Sequence, residues 1–353
     1  MSVTKSPPDE GVPAASQPPP GRPPGSRDSL RAAGLGLAVL ALLAVLGLSI
    51  GVGAKQLAPG AVWQGLLDSA SPDYTVVHRM RLPRTLLGLL AGAALGLAGG
   101  VMQALTRNPL ADPGLLGINA GASAAVATAT FLGVAGFTGY VWFALAGAAL
   151  VSVLVYAVGG GRGATPARLA LAGSALNATL FSYVSAVMLL DTGSLEKLRF
   201  WTAGSLASAQ PSTVAGLAPF VGVGLLLALA LARPLNALAL GDDSARALGA
   251  SPALVRGGAI VAVTLLCGAA TAACGPVVFV GLMVPHLVRA LTGPDLRWMF
   301  PYCAVLAPVL LLGADVLGRV LGRPGELQVG IVTAVLGGPV FLHFARRGKA
   351  ART

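Results

Sequence analysis

Long apolar runs separated by short polar clusters dominate the chain. After a polar, Pro-rich stretch at residues 1–31, an apolar run extends from Ala32 to Ala54. Charge-free intervals follow at Thr85 to Thr106, Pro113 to Gly161, Leu169 to Leu190 and Phe200 to Ala232. Gly257 to Val288, Trp298 to Ala314 and Leu327 to Ala345 continue the series. Roughly 20 apolar residues in a helix cross the hydrocarbon core of a bilayer. Two long intervals must divide, one near Gly133-Val-Ala-Gly136 and one at Gly275-Pro276. The pattern predicts an all-α polytopic membrane protein with about ten transmembrane helices, the eighth a short one.

Residues 1–31 carry Pro7, Pro8, Pro13, Pro18 to Pro20, Pro23 and Pro24, too polar to bury a core, and read as a disordered tail. The first apolar run is too long for a signal-peptide core and is expected to stay as the first transmembrane helix. Residues 32–346 form the membrane domain and 347–353 a short basic tail. With the N-terminus inside, most of the 24 Lys and Arg fall on the inner side. The positive-inside rule then puts both termini in the cytoplasm.

Composition excludes other classes. Hydrophobic residues make up 55% of the 353 and charged residues only 10%, against about 25% charged in soluble domains. A net charge of +11 without a polar basic domain does not point to nucleic acid. Cys267, Cys274 and Cys303 are odd in number, lie in apolar stretches and read as buried small hydrophobes; no metal site is expected.

Several stretches carry a possible role beside an ordinary one. Positive charge on the outer side gathers in His78-Arg-Met-Arg-Leu-Pro-Arg84 and at Arg319 and Arg323. These arginines either snorkel to headgroup phosphates or form a basic docking surface for an acidic extracytoplasmic partner. Gly88, Gly92, Gly96 and Gly100 form a small-xxx-small stripe, which marks a helix packed centrally in the bundle. The inner stretch Gln103 to Gly114 contains Asn108, Pro109, Asp112 and Pro113, so it is a turn, either part of a gate or a plain tight loop. Around residues 236–252, Asp242 or Asp243 can cap a short helix that Gly249 ends. That helix is a handle for a soluble partner or a connector.

The chain has no phosphate-binding Gly-x-x-x-x-Gly-Lys-Ser/Thr loop, so it is not expected to hydrolyse nucleotide. Ionisable residues avoid the middle of the spans, with Asp191 and Asp315 near span ends, which disfavours an ion-coupled carrier. No cofactor and no catalytic cluster is expected; His78, His286 and His343 are far apart in sequence.

Arg81-Leu-Pro-Arg84, Asn108-Pro-Leu-Ala-Asp-Pro-Gly-Leu-Leu-Gly117 and Leu171-Ala-Gly173 resemble a known family. So do Trp201-Thr-Ala-Gly-Ser-Leu206, Leu240 to Gly249, Gly281 to Arg289 and Gly330 to Pro339. It is the permease family of ABC importers for ferric siderophores, haem and vitamin B12, and the likeness runs from about residue 57 to 346. One departure is Glu326-Leu327-Gln328, where family members often read Glu-Leu-Pro.

The resemblance implies a type II ABC importer permease in the bacterial cytoplasmic membrane, its lipid surroundings included, with a second, identical or paralogous permease beside it. Two cytoplasmic ATPases would drive it, and an extracytoplasmic binding protein would deliver the cargo, a ferric siderophore in the preferred reading. It further implies docking by Arg81, Arg84 and Arg319, and ATPase coupling through Asp242, Asp243, Arg246, Leu248 and Gly249. Asn108, Leu110 and Thr165 would form a cytoplasmic gate. Asn119, Ser123, Asn177 and Ser182 are candidates for the path, although interhelical hydrogen bonding is the ordinary role for each.

Overall fold

In a computed structural model, residues 24–53, 57–134, 136–159, 166–190, 198–199 and 201–350 are described. They form twelve α-helices. These are α1 (Pro24–Gly51), α2 (Pro59–Leu67), α3 (Leu82–Thr106), α4 (Ile118–Phe131), α5 (Phe137–Val158) and α6 (Pro166–Leu190). The others are α7 (Pro211–Ala239), α8 (Asp242–Ala247), α9 (Pro252–Cys274), α10 (Val280–Thr292), α11 (Leu296–Leu321) and α12 (Val329–Ala350). Prolines at the first positions of α2, α3, α7 and α9 set where these helices begin; their fixed φ suits a first turn, where the missing N–H has no partner anyway.

Among the described residues, seven helices are long and apolar enough to cross a membrane; Val280–Thr292 and Val329–Leu342 are shorter apolar helices. Each expected span has a helix at its position, and the breaks near Gly133 and at Gly275-Pro276 fall where expected. Gly275 ends α9 at φ 74° with Trp201 O in the place of any Cβ, so this sharp turn requires glycine.

Several helices overrun their apolar cores. α1 starts at Pro24, inside the stretch read as tail, because helical backbone bonds do not require apolar side chains. α3 is preceded by a wide π-helical turn, Val76–Arg81, so the continuous helix covers 31 residues. α11 continues past Ala314 and takes in Asp315 and Arg319.

α3 is the axis of the fold. Of its best apolar window 83% is buried, against 11% for α1 and 17% for α6. It packs against α7, α9, α10 and α11. The glycine stripe is the groove that receives α11. Gly88 faces Leu312, Gly92 the backbone of Pro308, Gly96 the carbonyl of Cys303, and Gly100 the ring of Phe300. Gly99, off the stripe, meets α10, where a Cβ would lie 1.8 Å from Gly281 O. In a bilayer such backbone approach supplies the packing that apolar side chains cannot gain against lipid.

Candidate functional site

The two ends of α3 carry the two candidate sites. Its 25 residues hold them about 37 Å apart at 1.5 Å per residue.

At the N-terminal end of α3, arginines converge on the last turn of α1. Arg81 Nη1 donates to Ile50 O (2.6 Å) and Gly51 O (2.7 Å). Arg319 Nη1 donates to Ser49 O (2.9 Å) and Val52 O (2.6 Å), and its Nη2 to Ser49 Oγ (3.0 Å). Arg323 Nη2 reaches Gly53 O at 3.3 Å. A helix end leaves its last carbonyls without backbone donors and carries partial negative charge; here guanidiniums supply both needs.

The same cluster holds buried carboxylate. Asp315 accepts from Arg84 at 2.8 Å and pairs with Arg319 at 3.0 Å. Arg84 Nη1 continues to Glu326 at 2.6 Å. Arg81, Arg84 and Arg319 are the residues to which the resemblance gives a docking role. In the structure Arg81 is 6% and Arg319 2% exposed, and the Arg84 side chain is 12% exposed. They turn inward because Asp315 and the α1 carbonyls lie beneath them. Among the described residues, Arg79, Arg199 and Arg323 are exposed arginines at this end. Beside Arg84, a cavity of about 310 Å³ is lined by Trp201, Ser205, Ser208, Glu326 and Gln328.

Along the bundle, the four candidate path residues lie on two helices, Asn119 and Ser123 on α4 and Asn177 and Ser182 on α6. Asn119 Oδ1 accepts from Thr271 Oγ1 (2.9 Å) and Cys267 Sγ (3.1 Å), joining α4 to α9. Asn177 Nδ2 donates to Gly114 O at 3.1 Å, tying α6 to the inner turn. Ser123 is buried. Ser182 sits exposed on α6 and donates to Ala178 O.

At the C-terminal end of α3 the chain turns sharply. Arg107 takes a left-handed conformation, φ 51° and ψ 31°. Asn108 Oδ1 accepts from Leu110 N (3.0 Å), an Asx turn that leaves Leu110 37% exposed. Asp112 Oδ1 accepts from Gly114 N (2.7 Å) and caps the 3₁₀ turn Pro113–Leu116. Burial pushes the Asp112 carboxyl above the usual carboxylate range, while the Gly114 N–H opposes that shift. Thr165, the third expected gate residue, lies outside the described residues.

α8 lies beside this turn. Its cap is Gly241, at φ 114°, rather than an aspartate. Asp242 and Asp243 fall in the first turn, where the helix dipole favours them. Gly249, at φ 80°, ends the helix as expected: its N–H bonds Arg246 O and Ala250 N–H bonds Ala245 O. Asp243 pairs with Arg246 at 2.7 Å. Leu248 is 66% exposed on the outer surface of this loop. Asp242 instead accepts from Arg256 at 2.8 and 2.9 Å and from Arg107 at 3.4 Å.

Sequence reading missed Asp315 and Glu326 as partners of Arg84, and Arg107 and Arg256 as partners of Asp242. Their only signal was charge at the ends of neighbouring apolar runs. Among the described residues, no group of three His, Cys, Asp or Glu is placed to hold a metal ion.

Residues 40–347 match the FecCD transport family. The chain is 46% identical over 313 residues to the ferric enterobactin transport system permease protein FepD of Escherichia coli (strain K12), covering 88% of this chain and 93% of that one. It is 38% identical over 319 residues to the Fe(3+)-citrate import system permease protein YfmD of Bacillus subtilis (strain 168), covering 89% and 94%. A solved structure of a metal-chelate type ABC transporter in an inward-facing conformation superposes with a TM-score of 0.78 at 27% identity, covering 90% of this chain and 99% of that one.

Proposed function

The chain belongs to the FecCD transport family, and on that premise we propose that it is the membrane-spanning subunit of an ATP-driven importer carrying a ferric siderophore into the cell. The observation that carries this reading is its 46% identity, over 313 residues, to a ferric enterobactin permease. The end of α3 bearing Arg81 and Arg84 faces outward, and both termini lie in the cytoplasm. About ten helices span the bacterial cytoplasmic membrane, and a second permease, identical or paralogous, completes the path.

An extracytoplasmic binding protein delivers the chelate at the arginine end. Arg84 meets it there by exchanging the Glu326 contact of its outward Nη1 for an acidic group of the partner, with Asp315 fixing the guanidinium from below, while Arg81 and Arg319 hold α1 in place beside it. Two cytoplasmic ATPases seat on α8 and the residues that follow it, Asp242 to Gly249. ATP-driven movement there opens the turn at Asn108 and Leu110, with Thr165, just before α6 in the sequence, as the third gate residue, and releases the cargo. Ser182 on exposed α6 is the path candidate best placed to meet a second permease; Asn119 and Asn177 serve chiefly to hold the helices together.

A deletion strain under iron limitation tests the assignment. Radiolabelled ferric catecholate, hydroxamate and citrate chelates are offered separately, with haem and cobalamin alongside. Loss of one ferric chelate, restored by the gene, supports the reading. Loss of haem or cobalamin uptake alone overturns the cargo and leaves the importer.

A further inference from the structure

The left-handed residue at the end of α3 is an arginine, although glycine adopts that conformation without cost and a side chain there costs on the order of 1 kcal/mol or more. Arg107 and Phe279 are the non-glycine residues with positive φ among those described. The Arg107 guanidinium leaves its own helix. Its Nη2 donates to Leu238 O (2.5 Å), in the last turn of α7, and to Asp242 Oδ1 (3.4 Å), the first residue of α8. Asp242 is held from the other side by Arg256 of α9. The next residue along the chain from Arg107 is Asn108, whose side chain shapes the turn that exposes Leu110.

These contacts do little for stability. The side chains of Arg107, Asp242 and Arg256 are 45%, 33% and 41% exposed, and pairs this open to water contribute roughly 0–1 kcal/mol. What they do is join α8 to the turn after α3 through one side chain, across more than 130 residues of sequence. We propose that Arg107 is the positioning residue that transmits movement of α8 to the Asn108–Leu110 turn. A displacement of α8 moves Asp242 relative to the Leu238 carbonyl of α7, the guanidinium that bridges the two shifts with it, and the strained backbone of Arg107 passes the motion to Asn108. This inference rests on the proposed roles of α8 and of the turn.

Arg107→Gly tests it, because the substitution removes the guanidinium and relieves the backbone strain together, so the fold is not threatened. Spin labels go on Leu110→Cys and Ser244→Cys; both sites are exposed and the three native cysteines are buried. The permease, assembled with its ATPases in lipid nanodiscs, is measured without nucleotide and with trapped ATP. In the parent both labels should respond to nucleotide. In Arg107→Gly the label at 244 should still respond and the one at 110 should not, with uptake per ATP hydrolysed falling about tenfold. Arg107→Lys, which keeps the charge, should recover part of both signals. An Arg107→Gly protein whose label at 110 responds as in the parent overturns the link. A parent in which the label at 244 or at 110 ignores nucleotide instead overturns the role given to α8 or to the turn.

Discussion

Arg84 holds the buried carboxylate of Asp315 with two nitrogens, Nε at 3.0 Å and Nη2 at 2.8 Å, while Arg319 approaches the same carboxylate at 3.0 Å. Two guanidiniums thus share one carboxylate where almost no water reaches. Removing one partner of a buried pair leaves an uncompensated charge, at a cost of about 3–5 kcal/mol. Asp315→Ala should therefore lower the thermal unfolding midpoint of the purified permease sharply. An unchanged midpoint would show that the cluster carries no such strain.

Glu326 should behave in the opposite way. Its side chain is 32% exposed and meets only the outward Nη1 of Arg84, so the pair is worth roughly 0–1 kcal/mol. Glu326→Gln should leave unfolding nearly unchanged and free Arg84 for an acidic partner, so that binding-protein affinity holds or rises. Arg84→Ala should weaken it. Surface association of this kind should also weaken with salt, since charges are screened over about 10 Å at 0.1 M. Equal affinity in Arg84→Ala would remove Arg84 from the docking surface.

The glycines of α3 and α11 should not be equivalent. A Cβ at Gly99 would sit 1.8 Å from Gly281 O, which is backbone, whereas one at Gly100 would meet the Phe300 ring at 3.3 Å. Gly99→Ala must push α3 and α10 apart and should cost about 1–3 kcal/mol or more. Gly100→Ala should cost much less, because a side chain can shift. Gly313→Ala, with nothing within 4 Å, should be neutral or slightly stabilising. Unfolding midpoints of the three variants should fall in that order.

Asp295 makes the junction between α7 and α11 sensitive to acid. Hydrogen bonds from Arg297 hold its carboxyl at about 2, with Asn236 adding a further donor at 2.7 Å, and partial burial opposes the shift. A carboxylate has an ordinary value near 3.9 when unfolded. The folded value is the lower one, so the stabilisation is present above about pH 4 and is lost as pH falls from there through about 2. Asp295→Asn should flatten the acid slope of the unfolding midpoint in that window. A slope identical to the parent would place the acid response elsewhere.

Much of the bundle was legible because span length and the small-residue stripe are local patterns. Gly88 to Gly100 declared a packing face four residues at a time, and Gly275-Pro276 declared a break. Features that depend on distant residues were not legible. Arg84 finds its carboxylates 231 and 242 residues away, so composition could show the charge but not that it turns inward. The importance of Gly99 over Gly100 depends on where α10 crosses α3. The cap of α8 is Gly241 rather than Asp242 or Asp243, and the Asp242 carboxylate is engaged by Arg107 and Arg256, contacts that no local rule contains. Helix α2 and the π turn before α3 were missed because neither is long or apolar enough to register as a span.

Inward passage of a ferric siderophore at the expense of ATP is the function proposed for this permease. Its most direct measurement is uptake of a radiolabelled ferric siderophore into proteoliposomes holding the permease and its ATPases, with loaded binding protein outside and ATP inside. Accumulation should require both ATP and the binding protein and should fall at least several-fold in Arg84→Ala. Accumulation that persists without ATP, driven by an ion gradient alone, would contradict that function.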